Sequence, residues 1–174
     1  DRTANATEPA YDVHLYQGLA KGDKMDQIIQ KSVELGVTRI TPVICRRSVA
    51  QVHEQDRSKK MQRWSRIAAE AAKQCGRGIQ PLVAEPLSFD ACLSGAAASD
   101  LSLIPWEMER EQSIQTVLTA FQDSLTGRTG GARPTISLII GPEGGLTEEE
   151  VAKARASGIR PVSLGRRIDR KSVV

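Results

Sequence analysis

The sequence predicts an α/β domain in which helices flank a mostly parallel β-sheet. Short runs of aliphatic and β-branched residues alternate with longer amphipathic runs along the chain. The run TISLII at 135–140 is almost entirely apolar, which is typical of a strand buried on both faces of a parallel sheet. The chain has 174 residues, enough for one domain with a substantial hydrophobic core.

The first half of the chain contains two predicted helices with distinct apolar faces. Over 24–35, Met25, Ile29 and Val33 fall on one face, and Gly36 ends the helix because glycine adopts left-handed dihedrals without a Cβ clash. Over 57–75, a face of small residues permits close packing. The strands predicted in this half are 12–17, 37–45 and 80–84.

The second half repeats the alternation, and its last helix has a clear start signal. Thr147 and Glu150 have the spacing of a capping box, in which each side chain accepts a backbone N–H at the helix start. The glycine-rich loop at 127–134 is given no regular structure. The elements predicted here are helices over 88–94, 111–125 and 147–157, and strands over 101–105, 135–140 and 160–164.

Composition narrows the classes of function. The net charge of +3 favours an anionic partner without requiring one. Aromatic residues make up only 3% of the chain, which argues against a surface that stacks many bases on aromatic rings. The basic run at 57–66 is either a nucleic-acid surface or a solvated helix face.

Metal and membrane sites are not predicted. The cysteines Cys45, Cys75 and Cys92 are far apart, and the chain has only two histidines, so no metal-ligand spacing is present. No apolar run reaches the roughly 20 residues that span a bilayer, and no signal peptide is visible. We therefore expect a cytoplasmic location without a membrane or metal partner.

The segment most suggestive of a binding site is IIGPEGGLTEEE at 139–150. It joins a buried strand to a helix through three glycines, a proline and the carboxylate of Glu143. Ligands of α/β sheets bind beyond the carboxyl ends of strands, where glycines permit close approach and helix N-termini offer free N–H groups. An ordinary strand-to-helix turn is the alternative. The segment lacks the GxGxxG and GxxxxGK[ST] patterns, so nicotinamide and ATP sites gain no support.

Two further loops follow predicted strands in the same way. One is LIPWE at 103–107 and the other is LGRRI at 164–168. If the three strands are neighbours in the sheet, their loops form one pocket at its edge. Trp106 stands at a polar strand end, and burial against the next helix is its alternative explanation.

At these residues the sequence resembles a known family. GPEGGLTEEE at 141–150, VSLGRRI at 162–168, KGDKMDQIIQKSVELGVTRITPV at 21–43 and AAEAAKQCGR at 68–77 are similar to the signature of the ribosomal RNA small-subunit methyltransferase E family. The segments occur in the family's order and cover most of the chain. The resemblance implies a SPOUT-type catalytic domain over residues 1–174, with a deep trefoil knot near its C-terminus.

The resemblance also implies an S-adenosylmethionine cofactor held by the three loops, largely through backbone groups. It further implies a homodimer with the substrate base near the subunit interface. The cofactor-binding residues implied by this resemblance are Leu103, Ile104, Pro105, Glu107, Ile140, Gly141, Pro142, Glu143, Gly144, Gly145, Leu164, Gly165 and Ile168.

The implied reaction transfers a methyl group to N3 of a uridine in 16S ribosomal RNA of the small ribosomal subunit. The enzyme must align the reacting atoms and help N3 lose its proton. Arg170 and Arg77 are the candidates for stabilising charge on the uracil oxygens, since arginine stays protonated. Glu143 is the candidate for accepting the proton or positioning the base. The alternatives are a helix-end role for Arg77, a surface role for Arg170 and a role within its own turn for Glu143.

The partner implied by the resemblance is RNA. Lys21, Lys24, Arg46 and Arg47 lie in segments similar to the RNA-facing side of the family. Contacts there are expected with phosphates, which position an RNA without reading its sequence.

The sequence departs from the family pattern at both ends. Family members usually carry an N-terminal PUA-like β-barrel, and their pattern after LGRRI continues as LRTETA with a final helix. This chain reads DRKSVV at 169–174, where only Arg170 matches, and we expect both the barrel and the helix to be missing. The alternatives are another SPOUT methyltransferase of ribosomal or transfer RNA, and a non-catalytic RNA-binding or ribosome-assembly protein.

Overall fold

The computed structural model describes residues 8–50, 52, 54–126 and 131–165. Strands and helices alternate through these residues, as the periodicity of the sequence predicts. The elements are β1 (Asp12–Gly18), α1 (Lys24–Glu34), β2 (Arg39–Ile44), α2 (Glu54–Gln74), β3 (Leu82–Val83), β4 (Leu87–Ser88), α3 (Phe89–Ala97), β5 (Leu101–Pro105), α4 (Ile114–Leu125), β6 (Thr135–Ile140), α5 (Glu148–Ala156) and β7 (Arg160–Val162).

The strands form one seven-stranded sheet in the order β3-β2-β1-β6-β5-β7, with β4 also paired to β2. Every strand pair formed within the described residues is parallel. The predicted α/β class is therefore confirmed. β1 and β6 lie at the centre of the sheet, and β6, β5 and β7 are consecutive neighbours.

The sheet is buried on both faces. On β1, Leu15 packs with the apolar side chains of α1 and α2, whereas the adjacent Tyr16 packs with those of α3 and α5. Each of the two residues is 6% exposed. On β6, Ile139 packs with the side chains of α3 and α5, whereas Leu138 packs against those of α1 and α2. Because both faces of the strand meet helices, the run at 135–140 is nearly all apolar.

Some element boundaries differ from those predicted by periodicity. α2 begins at Glu54, three residues before the predicted start, so the polar residues at 54–56 belong to the helix. α4 begins at Ile114 instead of 111, since the hydroxyl of Ser113 accepts the N–H of Thr116 and caps the helix there. The strand predicted at 80–84 is reduced to the two residues of β3.

The predicted trefoil knot requires the segment after Gly165, which lies outside the described residues, so the knot stays a prediction. Within the described residues, no helix combines the length and apolarity needed to traverse a bilayer.

Candidate functional site

The loops after β5, β6 and β7 leave the same edge of the sheet. The three strands are parallel neighbours, so their carboxyl ends are adjacent. Trp106, just after β5, donates its backbone N–H to the carbonyl of Val162 at 3.0 Å. A Cβ placed on Gly145 would lie 3.7 Å from Oε1 of Glu107. The condition set by the sequence for a shared pocket, that the three strands be neighbours, is met.

The residues of the β5 segment differ in what they can offer a ligand. Leu103 and Ile104 are 1% and 0% exposed, and their side chains pack into the core on opposite faces of the sheet. Pro105 is half-buried, and Glu107 is exposed beside the glycine loop. The backbone and the exposed end of this segment are therefore the parts that can contact a ligand.

The glycine loop at 141–145 is a tight turn over the end of β6. The N–H of Gly145 donates to the carbonyl of Pro142 at 2.9 Å. Gly145 has a φ of 71°, in the region that favours glycine. A Cβ on Gly141 would lie 2.9 Å from the Cγ of Leu146. Substitution within the loop is restricted by both backbone shape and packing.

The end of β1 supports the glycine loop, which the sequence interpretation missed. A Cβ on Gly18 would lie 2.4 Å from the backbone nitrogen of Pro142. The Gln17 side chain is 5% exposed and donates to the carbonyl of Gly141 at 3.3 Å. A glycine at the end of a central strand is the signal that could have indicated such a close backbone approach.

The helix after the glycine loop starts with the capping box that the sequence predicts. The Thr147 hydroxyl accepts the N–H of Glu150, and the Glu150 carboxylate accepts the N–H of Thr147 at 2.8 Å. The other oxygen of Glu150 accepts the backbone N–H of Arg46 at 2.8 Å. Glu150 is 6% exposed, and it joins the loop after β2 to the start of α5 through partly buried hydrogen bonds.

Arg46 and Arg47 have different surroundings in this chain. Arg47 donates to the carbonyl of Gly144 at 3.2 Å, and a Cβ on Gly144 would lie 3.1 Å from the Cβ and carbonyl oxygen of Arg47. The Arg46 side chain is 66% exposed and pairs with Glu149. Arg47 therefore contacts the glycine loop directly, a role that the sequence interpretation of both residues as RNA contacts did not include.

Glu143 connects the glycine loop to the loop after β1. Its Oε1 accepts the backbone N–H of Lys21 at 3.0 Å and lies 3.3 Å from the Nζ of Lys24. Burial raises the pKa of Glu143, but hydrogen bonds from the Lys21 backbone and from Lys24 outweigh it and leave that pKa below its ordinary value. At neutral pH the side chain is an ionised acceptor whose Oε1 is engaged by Lys21 and Lys24.

Arg77 is not brought to these loops. It lies beyond the end of α2, where its Nη1 donates to the carbonyls of Val33 and Val37, at 3.2 and 2.6 Å. Its Nη2 pairs with Glu8 at 2.6 Å, and the two side chains are 4% and 0% exposed. Glu8 and Val37 precede β1 and β2, so this cluster lies at the amino edge of the sheet, opposite the three loops.

The β7 loop is described only in part. Leu164 is 41% exposed, and Gly165 has a φ of 103°. Ile168 and Arg170 lie outside the described residues. Among the residues that the structure describes, no group of three histidine, cysteine, aspartate or glutamate side chains could hold a metal ion.

Comparison with known proteins decides the family. A family model of the RNA methyltransferase domain matches residues 7–172. The chain belongs to the RNA methyltransferase domain family. The resemblance indicated by the glycine loop and the other three motifs is confirmed.

Several relatives in this family are small-subunit enzymes by name. Ribosomal RNA small subunit methyltransferase E of Bacillus subtilis is 36% identical over 156 residues, which cover 90% of this chain and 59% of that protein. The protein of the same name from Synechocystis sp. is 34% identical and is covered to 48%. The chain thus spans about half of the length of these relatives.

Solved structures of the family share this fold. A methyltransferase from Legionella pneumophila in complex with bound SAM is 33% identical with a TM-score of 0.78, covering 93% of this chain and 61% of that one. Ribosomal RNA small subunit methyltransferase E from Neisseria gonorrhoeae, bound to S-adenosyl methionine, is 31% identical with a TM-score of 0.77, covering 95% and 63%.

Proposed function

We propose that this chain is the catalytic domain of an S-adenosylmethionine-dependent methyltransferase acting on small-subunit ribosomal RNA. The observation that carries the proposal is the convergence of the β5, β6 and β7 loops at one edge of the sheet, in a chain that belongs to the RNA methyltransferase domain family. Two relatives of the same fold were solved with S-adenosylmethionine bound, which supports this cofactor for the site.

The residues present fit such a cofactor. Its adenine needs backbone groups at close range, and Gly145 and Gly165, which lie in positive-φ turns, have no Cβ to block that approach. Leu103 and Ile104 anchor the β5 segment in the core on both faces of the sheet, which fixes its backbone beside the site. When bound, the cofactor supplies an electrophilic methyl group, so the protein has mainly to orient the reactants.

For the acceptor we propose N3 of a uridine, with Glu143 as a positioning group. A general base works best when its pKa lies near the operating pH, whereas the pKa of Glu143 is lowered by its donors. The carboxylate is therefore better suited to hold the Lys21 and Lys24 loop against the glycine loop. Stabilisation of charge on the uracil oxygens by Arg170 stays a prediction. For Arg77 we propose a structural role at the amino edge in place of the predicted catalytic one.

The RNA would approach across the loops after β1 and β2. Lys21 and Lys24 border Glu143, Arg47 borders the glycine loop, and Arg46 borders the start of α5. Their positive charges lie around the proposed cofactor site, where phosphates flanking a target base could be held. Homodimer formation and a cytoplasmic location are further parts of the proposal.

The direct test is calorimetric titration of the chain with S-adenosylmethionine and, separately, with its demethylated product. We expect one site per chain. Gly144→Val should weaken binding at least about tenfold, because its side chain would meet Arg47. Gly158→Ala, at a positive-φ glycine with open space around it, is the control and should bind normally. A folded chain that binds neither compound would overturn the proposal, and RNA binding by that chain would then favour a non-catalytic RNA-binding protein.

A further inference from the structure

Glu109 organises the loop between β5 and α4, and the sequence interpretation did not single it out. Its Oε1 accepts the backbone N–H groups of Glu111 and Gln112 at 2.8 and 3.2 Å. The residue is 9% exposed. The hydrogen bond from the Glu111 backbone leads the causes that keep the pKa of Glu109 below its ordinary value. The carboxylate is thus held as an anion inside its own turn.

Arg155 joins this turn to the helix that follows the glycine loop. Its Nη2 donates to Oε2 of Glu109 at 2.9 Å. The same guanidinium lies 5.9 Å from the centroid of the Trp106 ring, within the range of a cation–π contact. Trp106 directly follows β5 and packs against the core. One side chain of α5 therefore contacts two points of the β5 loop.

The third loop is tied to the same turn through the backbone. The N–H of Ser163 donates to the carbonyl of Gln112 at 2.7 Å, and the N–H of Ile114 donates to the carbonyl of Ser163 at 2.9 Å. Ser163 immediately precedes Leu164 and Gly165. A displacement of the turn at Glu109 would therefore move the start of the β7 loop.

We propose that Glu109 and Arg155 are positioning residues that set the β5 and β7 loops relative to one another for cofactor binding. The inference rests on the proposed function, since it assigns these residues to the same site without placing them against the cofactor. Misplacement of binding groups by an ångström or less is enough to lower binding and rate by orders of magnitude. Arg155 lies in the last turn of α5, away from the glycine loop, so the pair controls such displacements in the β5 and β7 loops.

The alternative is that the pair only stabilises the fold. Arg155 has 53% of its side chain exposed, and ion pairs with exposed partners contribute little to stability. The two accounts consequently predict different measurements. A positioning role lowers cofactor affinity while the unfolding midpoint changes little, whereas a structural role lowers both together.

The variants for the test are Glu109→Gln, Arg155→Met, Arg155→Lys and the double variant Glu109→Gln/Arg155→Met. Glutamine retains an oxygen for the backbone donors, while lysine retains the charge without the planar fork that pairs and stacks. Lys153→Met is the matched control, because Lys153 lies on the same helix and forms an exposed ion pair with Asp90 at 2.7 Å.

Three quantities are measured for each variant: the Kd for S-adenosylmethionine, the unfolding midpoint, and amide hydrogen exchange without cofactor. We expect Arg155→Met and Glu109→Gln each to raise the Kd about tenfold or more, with Arg155→Lys in between. The double variant should show no further loss, since the two residues act as one unit. Exchange should rise at 111–114 and at 163–165 but not in α1, and Lys153→Met should resemble the wild type.

Two results would overturn the inference. One is an unchanged Kd in Arg155→Met and Glu109→Gln. The other is a loss of cofactor affinity that occurs in these variants only together with a matching fall in the unfolding midpoint. If the wild type failed to bind the cofactor, the proposed function would fail separately. Exchange would then still decide whether the pair joins the loops, because unchanged exchange at 163–165 would exclude that coupling.

Discussion

Gly18 and Pro142 approach so closely that a Cβ on Gly18 would lie 2.4 Å from the Pro142 nitrogen. Gly18 is the last residue of β1, and Pro142 begins the turn after the neighbouring strand β6. Because the opposing atoms belong largely to the backbone, they cannot rotate away as a side chain could. The absence of a side chain at Gly18 is what lets the glycine loop fold over the end of β1.

Gly18→Ala should therefore displace the glycine loop. We expect a loss of about 1–3 kcal/mol in the free energy of unfolding, as for other overpacked sites, together with weaker S-adenosylmethionine binding. Denaturant unfolding and calorimetry measure the two effects. Gly22→Ala is the control, because its φ of 54° strains alanine but nothing lies within 4 Å. If Gly18→Ala retained wild-type cofactor affinity, this close approach would not determine the loop.

Glu150 is predicted to contribute far more to stability than the adjacent Glu149. Removing the Glu150 side chain takes the acceptor from the partly buried N–H groups of Arg46 and Thr147, and each lost hydrogen bond costs about 0.5–1.5 kcal/mol. Glu149 is 74% exposed. We expect Glu150→Ala to lower the free energy of unfolding by several times the change in Glu149→Ala, measured by denaturant unfolding. Equal changes in the two variants would show that the hydrogen bonds of Glu150, including the one from Arg46 in the β2 loop, do not stabilise the fold.

The features that were predictable from the sequence are those encoded by nearby residues. The capping box of Thr147 and Glu150 spans three positions, and the packing of 135–140 on both faces of the sheet follows from composition, so both were recognisable. The glycine loop was likewise placed at a strand end by local pattern. Such local signals account for most elements of the fold.

The contacts that shape the site join residues far apart in the sequence. Lys21 and Glu143 are separated by 122 positions, and Arg46 and Glu150 by 104. No local pattern shows which strands become neighbours, so the partners of these side chains could not be foreseen. The basic residues were consequently interpreted from the family resemblance and their charge, as RNA contacts. Glu109 was overlooked for the same reason, since its partner comes from α5.

The pair of Arg77 and Glu8 is predicted to stabilise the fold without affecting the cofactor site. Breaking a buried ion pair by Arg77→Met should cost about 3–5 kcal/mol, because it leaves a buried carboxylate without its partner. The variant Glu8→Leu/Arg77→Met should recover much of this loss. Where Arg77→Met is still folded, we expect normal S-adenosylmethionine affinity in calorimetry. A folded variant without affinity would support the catalytic role instead.

The same pair predicts a dependence of stability on pH. The hydrogen bond from Arg77, together with its charge, lowers the pKa of Glu8 in the folded protein below the ordinary value of 4.5. Its contribution is therefore fully present above pH 4.5 and is lost as the pH falls through the folded pKa. The difference in unfolding free energy between wild type and Glu8→Gln should shrink over that acidic range. A difference independent of pH would contradict this assignment.

Lys21 is predicted to contact RNA phosphate without contributing to cofactor binding. Within the described part of the chain its ammonium has no carboxylate partner, whereas Lys24 is paired with Glu143. When an unpaired lysine neutralises a phosphate, the RNA releases the counterion that it had bound there. Lys21→Ala should therefore reduce the slope of log RNA affinity against log salt by about 0.7–0.9. The backbone N–H that donates to Glu143 remains in the alanine variant, so S-adenosylmethionine affinity should not change.

Lys24→Ala provides the comparison within the same loop. Since Lys24 must exchange Glu143 for a phosphate, its net gain on RNA binding is smaller, and its removal should change the salt slope less than removal of Lys21. Lys153→Ala, remote in α5 and paired with Asp90, should leave the slope unchanged. Fluorescence anisotropy with a small-subunit ribosomal RNA fragment over a range of salt concentrations measures all three. Equal slopes for wild type and Lys21→Ala would remove Lys21 from the RNA surface and direct attention to Arg46, which lies beside the start of α5.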